Sequence, residues 1–130
     1  MIEFSLDSHS GVSPYLQVVH QVRRALRLGL LEEGDQLPTV KDVVASLAIN
    51  PNTVLKAYRE LDRDGLVEGR RGVGTFVSGT VPPVPPDRLR DLRLGLQRWI
   101  GQARAAGLDE ENMAALFDDT VRPPVVSRVA

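Results

Sequence analysis

The side chains with the clearest chemical potential follow an asparagine–proline pair in the middle of the chain. Asn50 is a favourable helix N-cap and Pro51 suits the first helical position, so a helix is predicted to begin there. Its first two turns carry Asn52, Thr53 and Lys56. Asparagine can pair with adenine, threonine can exchange a hydrogen bond or touch a thymine methyl group, and lysine can contact guanine or phosphate. The pattern is typical of a helix that reads base edges in the major groove.

A second lysine, Lys41, lies in the first turn of the preceding predicted helix, beside the same groove in this geometry. The alternative is that Asn52 and Thr53 only complete the helix cap, and that Lys41 and Lys56 are solvated surface. We favour DNA contact because all four residues fall on the exposed side of one helix or at one end of the next.

Two arginines, Arg70 and Arg71, precede a glycine-rich connection, Gly72-Val73-Gly74, between two predicted strands. Glycine allows a loop to approach a sugar–phosphate backbone, and arginine is favoured in narrow minor grooves. The alternative is a tight turn beside a solvated strand. A nucleotide-binding loop is not expected, because the glycines do not precede a helix and no Gly-Lys-Ser or Gly-Lys-Thr follows.

Residues for catalysis or metal binding are sparse. The chain has no cysteine and two histidines, which excludes thiolate chemistry and leaves too few imidazoles for a histidine-rich metal cage. No serine lies in a Gly-x-Ser-x-Gly elbow. We therefore expect no enzyme activity, no cofactor and no metal site.

Apolar spacing and cap residues predict the elements that position these side chains. One helix begins at Ser13-Pro14 with Ser13 as its N-cap, a second begins at Thr39, and a third ends at Gly65. Only about three residues join the second helix to the third, which is helix-turn-helix geometry. Strands are predicted at residues 66–70 and 75–78. The order indicates a mainly α fold with a small β-hairpin (α+β), a winged helix-turn-helix followed by a C-terminal two-helix dimerisation appendage.

Prolines divide the chain, since four of the nine fall within residues 82–86, a run that favours an extended polyproline conformation. We therefore predict a winged helix-turn-helix DNA-binding domain at residues 1–79 and a proline-rich linker at 80–86. A helical dimerisation unit is predicted at 87–120 and a flexible tail at 121–130.

The predicted helical unit carries an apolar seam, in which apolar residues recur at alternating steps of three and four. Its members are Leu89, Leu92, Leu96, Trp99, Ala103 and Ala106, and the next helix adds Met113, Leu116 and Phe117. The seam could fold back on the N-terminal domain, pair within the chain, or pair with a second chain. A lone helical hairpin of this size buries too little to be stable, and DNA readers commonly dimerise, so we favour a homodimer.

Net charge does not by itself indicate a partner. Sixteen Lys and Arg against seventeen Asp and Glu give −1, but a DNA-binding face can be basic on a neutral molecule. No apolar run approaches the ~20 residues of a membrane span, and the N-terminus lacks signal-peptide features. We therefore expect a cytoplasmic protein with no membrane partner.

Several segments of the N-terminal domain carry motifs that are specific in combination. An Asp-x-Leu-Pro bridge lies within residues 34–42, an Asn-Thr-Val helix start within 50–61, and a Gly-x-Gly-Thr-Phe-Val wing within 71–77, and Pro14-Tyr15-x-Gln17-Val18 opens the first helix. Together they resemble the GntR family of bacterial transcription regulators over about residues 13–78. The short length and the helical appendage are similar to its YtrA subfamily. The resemblance implies a homodimeric repressor with two C-terminal dimerisation helices, no large effector domain, and control of membrane-transporter genes.

The resemblance also assigns roles to single residues. The family's polar reading positions fall on Asn52 and Thr53, and its helix-two arginine falls on Lys41, which keeps the charge but loses the bidentate fork. An arginine common two residues after Thr53 is replaced by Leu55, which removes one expected DNA contact. Lys56 keeps basic character one position further on.

The leading hypothesis is a sequence-specific, homodimeric repressor that binds a palindromic operator through the helix starting near Pro51 and through a basic wing. Phosphate contacts would supply affinity and base contacts would supply choice of sequence. The DNA-binding candidates are Lys41, Asn52, Thr53, Lys56, Arg70, Arg71, Gly72 and Gly74. The alternative is a winged-helix protein–protein interaction module without sequence-specific DNA binding. The sequence does not identify a small-molecule effector.

Overall fold

Seven elements appear in the predicted order in a computed structural model that describes residues 2–79 and 84–123. They are α1 (Pro14–Arg27), α2 (Val40–Leu47), α3 (Pro51–Arg63), β1 (Val67–Arg70), β2 (Gly74–Val77), α4 (Pro86–Ala105) and α5 (Glu110–Val121). The chain divides into two compact units between Pro85 and Pro86. Three helices followed by a two-stranded hairpin confirm the expected winged helix-turn-helix, and two further helices follow it.

Side-chain caps start α2 and α3 where the sequence predicts. The Asn50 carboxamide oxygen accepts a hydrogen bond from the Asn52 amide at 2.8 Å, and the Thr39 hydroxyl accepts one from the Asp42 amide at 3.1 Å. Ser13 also occupies an N-cap position, but its side chain accepts no cap hydrogen bond. The predicted N-cap position of α1 is therefore confirmed, without the side-chain hydrogen bond that Asn50 and Thr39 make.

The core of the first unit lies where the three helices meet the hairpin. Its largest fully buried side chains are Val18, Val22 and Leu26 of α1, Leu37, Val43 of α2, Val54 and Leu61 of α3, Val67 of β1 and Val77 of β2. The buried hydroxyl of Tyr58 donates a hydrogen bond at 2.6 Å to the carbonyl of Pro38. This bond ties α3 to the segment before α2, and so fixes how the two helices of the helix-turn-helix meet.

A third segment pairs with the two-stranded hairpin, and the sequence did not predict this pairing. β1 and β2 pair antiparallel, and the bridge segment, residues 34–38, pairs with the outer side of β2 through Gln36 and Phe76. The Leu37 amide donates to the Thr75 carbonyl at 2.8 Å, and the Val77 amide donates to the Asp35 carbonyl at 2.8 Å. The wing, which comprises β1, β2 and their turn, is therefore anchored to the chain that leads into α2.

The N-terminal arm, residues 2–12, runs along α1 without forming a regular element. Two glutamines of α1 bind its backbone. The Gln21 carboxamide accepts from the Ser5 amide and donates to the Ser5 carbonyl, and Gln17 makes the same pair of bonds with Asp7. Side-chain amides thus satisfy backbone groups that a sheet would otherwise pair.

The helical unit extends one residue beyond each predicted limit of 87–120, because α4 begins at Pro86 and α5 ends at Val121. Proline is accepted in the first turn of a helix, where its missing N–H costs nothing. Asp109 caps α5 by accepting from the Asn112 amide at 2.7 Å. Residues 80–83 of the predicted linker and 124–130 of the predicted tail lie outside the described residues.

Candidate nucleic-acid interface

Helix α3 has one buried face and one exposed polar face. The buried face consists of Val54, Ala57, Tyr58 and Leu61. The exposed face, called the outer face below, consists of Asn52, Lys56, Arg59 and Arg63, at steps of four, three and four. This spacing places all four side chains on one side of a helix. The outer face therefore presents an amide followed by three cations.

Neighbouring elements cover the two flanks of α3. On one flank, Arg23 of α1 pairs with Asp64 at the C-terminal end of α3. On the other flank, the Gly69 amide of the wing donates to the Asp62 carboxylate at 3.3 Å. Thr53 is half-buried, whereas Asn52 is exposed. Within residues 2–79, the outer face is therefore exposed between α1 and the wing.

Lys56 rests on an aromatic ring at the start of α1. Its ammonium lies 4.0 Å from the centroid of the Tyr15 ring, which is cation–π geometry. Among the described residues, Lys56 forms no ion pair. An ammonium has three N–H donors, so contact with the ring leaves donors for a phosphate.

The wing holds one of its two arginines in the same way. The Arg70 guanidinium lies 4.5 Å from the centroid of the Phe76 ring on the neighbouring strand. Arg71 is exposed in the turn that follows β1. The hairpin therefore carries one cation held over a ring and one exposed cation in the turn.

The two wing glycines meet different backbone requirements. Gly72 has φ +73°, in the left-handed region that favours glycine. Gly74 has φ +140°, and a Cβ there would lie 2.6 Å from the carboxamide nitrogen of Gln36. Both residues thus shape the wing tip, and Gly74 also makes room for the bridge segment.

A shallow groove of about 690 Å³ runs between the wing and the helix-turn-helix. This wing groove is lined by Thr39 and Val40 at the start of α2, by Leu55 of α3, and by residues 69–75 of the wing. It brings Arg70, Arg71, Gly72 and Gly74 together. Lys41 is exposed next to Val40 but does not line the groove.

Burial and, secondarily, the negative charge of Asp42 raise the pKa of the Tyr58 phenol well above its ordinary value. The phenol consequently stays protonated and remains the donor to Pro38. No group of three or more His, Cys, Asp or Glu side chains within residues 2–79 and 84–123 is placed to hold a metal ion. None of the helices in those ranges is long and apolar enough to cross a bilayer.

Comparison with known proteins settles the family. The family model for bacterial regulatory proteins of the gntR family matches residues 14–77. The HTH-type transcriptional repressor YtrA of Bacillus subtilis is 32% identical over 109 residues, which cover 83% of this chain and 84% of that protein. The HTH-type transcriptional regulator YhcF of the same organism is 38% identical over 101 residues, which cover 76% and 82%. The chain belongs to the gntR family.

The similarity of this gntR-family chain to a solved structure reaches beyond the winged helix-turn-helix. The crystal structure of a transcriptional antiterminator from Listeria monocytogenes EGD-e has a TM-score of 0.60 and 27% identity, and the match covers 93% of this chain and 91% of that one. The family confirms the expected fold class. It also places the chain among DNA-binding transcription regulators and not among enzymes.

The helical unit of this gntR-family chain leaves most of its apolar side chains uncovered. Of its described residues, only Ala103 and Met113 are buried, and both lie near the turn between α4 and α5. Leu92 is 63% exposed and Phe117 is 54% exposed. A small groove of about 180 Å³ between the helices is lined by Leu96, Trp99, Leu116, Phe117 and Thr120. Leu89 and Trp99 are half-buried, and Ala106 lies beyond the end of α4.

Sequence reasoning missed Arg59 and Arg63, which continue the outer face of α3. The sequence contains the spacing that could have revealed them, because Arg59 follows Asn52 by seven residues and Lys56 by three, which places all three on one face of a helix. It also missed the rings of Tyr15 and Phe76 beneath the two cations. No local pattern could have shown these contacts, since each joins residues of different elements.

Proposed function

We propose that this chain is a cytoplasmic, homodimeric repressor that binds a palindromic operator in double-stranded DNA. The observation that carries the proposal is the free outer face of α3, flanked by a wing whose arginines line one groove with α2 and α3. A helix with an exposed polar face of this kind can enter the major groove, while the wing reaches the adjacent backbone.

The outer face and the wing divide the work of binding. Asn52 supplies base choice, since its amide can donate and accept at once to adenine. Thr53 lies beside it and adds a shorter contact. The cations Lys41, Lys56, Arg70 and Arg71 supply affinity through phosphates and sugars, which position the protein but carry no sequence information themselves. Gly72 and Gly74 let the wing approach the backbone closely.

The exposed seam supports assembly with a second copy of the chain. A helical pair that buries two side chains near its turn cannot stabilise itself, so its apolar faces need a partner. Pairing involves Leu89, Leu92, Leu96, Trp99 and Ala103 with Met113, Leu116 and Phe117. A symmetric dimer offers two copies of α3 to half-sites about one helical turn apart.

The proposals of repression and of the target genes rest on similarity to related proteins. YtrA of Bacillus subtilis is named a transcriptional repressor, which supports repression by this chain. The subfamily resemblance supports control of membrane-transporter genes.

The deciding experiment is selection of bound duplexes from a random DNA pool, with the mass of the free protein measured by light scattering. We expect a dimer and an enriched inverted repeat. Titration of that repeat at several salt concentrations should show a steep loss of affinity with salt, because bound phosphates release counterions. Bulk DNA serves as the competitor. A monomer that enriches no sequence would contradict the proposal and favour a protein-interaction module.

A further inference from the structure

The wing groove has an apolar part that the proposed phosphate and base contacts leave unused. Leu55 of α3 and Val40 of α2 are half-buried in its lining, and Val73 at the wing tip is 62% exposed. Arg70 and Arg71 line the same groove. The groove therefore combines cations, which suit phosphates, with an apolar surface that does not suit a phosphate.

Leu55 occupies a position from which a base can be reached. It lies in the second turn of α3, between the reading residues Asn52 and Thr53 and the cation Lys56. Its side chain faces the wing rather than the core, since it lines the groove with residues 69–75. A helix that places Asn52 against bases in the major groove of DNA brings this flank of α3 to the neighbouring base pair.

The chemistry of the major groove then restricts what Leu55 can contact. Each base edge there presents hydrogen-bond donors and acceptors, except for the C5-methyl group of thymine. Burying a donor or acceptor against a leucine leaves it without a partner and is unfavourable. Covering a methyl group removes apolar surface from water and is favourable.

We propose that Leu55 is a specificity-determining residue that contacts a thymine methyl group in each half of the operator, with Val40 beside it in the lining of the wing groove. The inference rests on the proposed function and deepens it, because it names the base that the α3–wing flank selects. It also gives Leu55 a role where the family resemblance led us to expect a guanidinium.

Replacement of thymine by uracil in the selected operator provides the test, because it removes the methyl group and leaves the Watson–Crick pairing unchanged. One thymine at a time is replaced symmetrically in both half-sites, and binding of the full-length dimer is titrated. At the position read by Leu55 we expect affinity to fall about fourfold per methyl group lost. In the Leu55→Ala variant, thymine and uracil at that position should bind equally.

Three variants separate the contact from its alternatives. Leu55→Met keeps an apolar side chain of similar volume and should keep the preference for thymine. Leu55→Arg should transfer the preference at that position from thymine to guanine, because arginine pairs with guanine O6 and N7. Thermal melting and the salt dependence of Leu55→Ala control for misfolding, and both should match the wild type apart from a modest fall in Tm.

The outcomes distinguish this inference from the proposed function. A selective operator whose affinity is unaffected by uracil at every thymine would overturn the role of Leu55 and leave the repressor proposal standing. The same holds if uracil weakens Leu55→Ala as much as the wild type, because the methyl group would then act through DNA shape. Failure of the wild type to select any sequence would overturn both.

Discussion

In the proposed complex, base choice and affinity fall to different side chains of the outer face of α3 and of the wing. Asn52 is exposed at the helix start, next to the cap that fixes its backbone. Lys56 and Arg70 are cations held over aromatic rings. An amide discriminates between bases by its paired donor and acceptor, whereas a cation attracts every phosphate alike. Substitution of Asn52 should therefore change the base preference, whereas substitution of a cation should lower the affinity for all DNA sequences.

Asn52→Ala is expected to relax operator discrimination. Loss of a two-point contact with one base should narrow the preference at that base pair by about 1–3 kcal/mol, with little change in binding to unrelated DNA. Competition titrations against operators that carry each base at that position would measure the effect. Arg59→Ala, which removes a cation of the same face, is the matched control and should weaken all competitors alike. An unchanged base preference in Asn52→Ala would show that Asn52 does not contribute to base recognition.

Arg71→Ala is expected to weaken binding to all DNA sequences to a similar extent. Arg71 is exposed in the wing turn, and no aromatic ring in the described part of the chain lies beneath it, so its contribution is one of charge. The slope of log K against log salt should fall by about one, the contribution of one phosphate contact. Arg71→Lys keeps the charge and should keep the slope. A loss confined to the operator would instead assign Arg71 to base reading.

At the scale of elements, the order and type of the helices and strands follow from local signals. The Asn50-Pro51 start and the Thr39–Asp42 cap are both local and were both found in the structure. The pairing of the bridge segment with β2 and the course of the N-terminal arm along α1 were not predicted. Each segment is held by partners distant in the chain, namely Phe76 for the bridge segment and Gln17 and Gln21 for the arm. The spacing of apolar residues along the sequence does not predict such long-range pairing.

Tyr58→Phe is expected to destabilise the first unit by about 1–3 kcal/mol, because it leaves the buried Pro38 carbonyl without its donor. Chemical denaturation would measure the loss of unfolding free energy. Since the bond fixes the angle between α2 and α3, operator affinity should fall as well. Tyr15→Phe is the matched control, because its ring is only half-buried and should keep the contact with Lys56. Equal stability of Tyr58→Phe and wild type would show that the bond contributes nothing.

Alkaline pH offers a second measurement of the same bond. Burial raises the pKa of Tyr58, so the folded state retains the phenol proton after the unfolded chain releases it at about pH 10. The stabilisation is therefore complete below that pH and declines as pH rises above it. The stability difference between wild type and Tyr58→Phe should shrink from about pH 10 upwards. A constant difference between pH 8 and pH 11 would contradict this.

For the whole molecule, the sequence predicts a DNA-binding domain and a helical dimerisation unit, and the chain divides into two compact units between Pro85 and Pro86. The heptad-like spacing of the seam suggests an interface, and Leu92 and Phe117 are exposed within the helical unit. What the spacing could not reveal is how little α4 and α5 cover each other, since that depends on the turn between them.

Leu92→Glu combined with Leu96→Glu is expected to convert the dimer to a monomer. Two carboxylates on the seam would be buried without partners in the pair, which is unfavourable. Light scattering should show the mass of one chain, and operator affinity should fall at least about tenfold as one half-site is lost. Leu94→Glu is the matched control, because Leu94 is exposed on the same helix but outside the seam. A dimer that survives the double substitution would place the interface elsewhere.

The sparse burial within the helical unit also has a regulatory consequence. In the proposed dimer, two chains must meet before both half-sites are engaged. While unassembled chains predominate and most operators are empty, operator occupancy would therefore rise with the square of the abundance of the chain. A halving of cellular copy number would then cut occupancy by about fourfold. Release of the operator would not require a ligand, because growth and dilution of the chain would suffice.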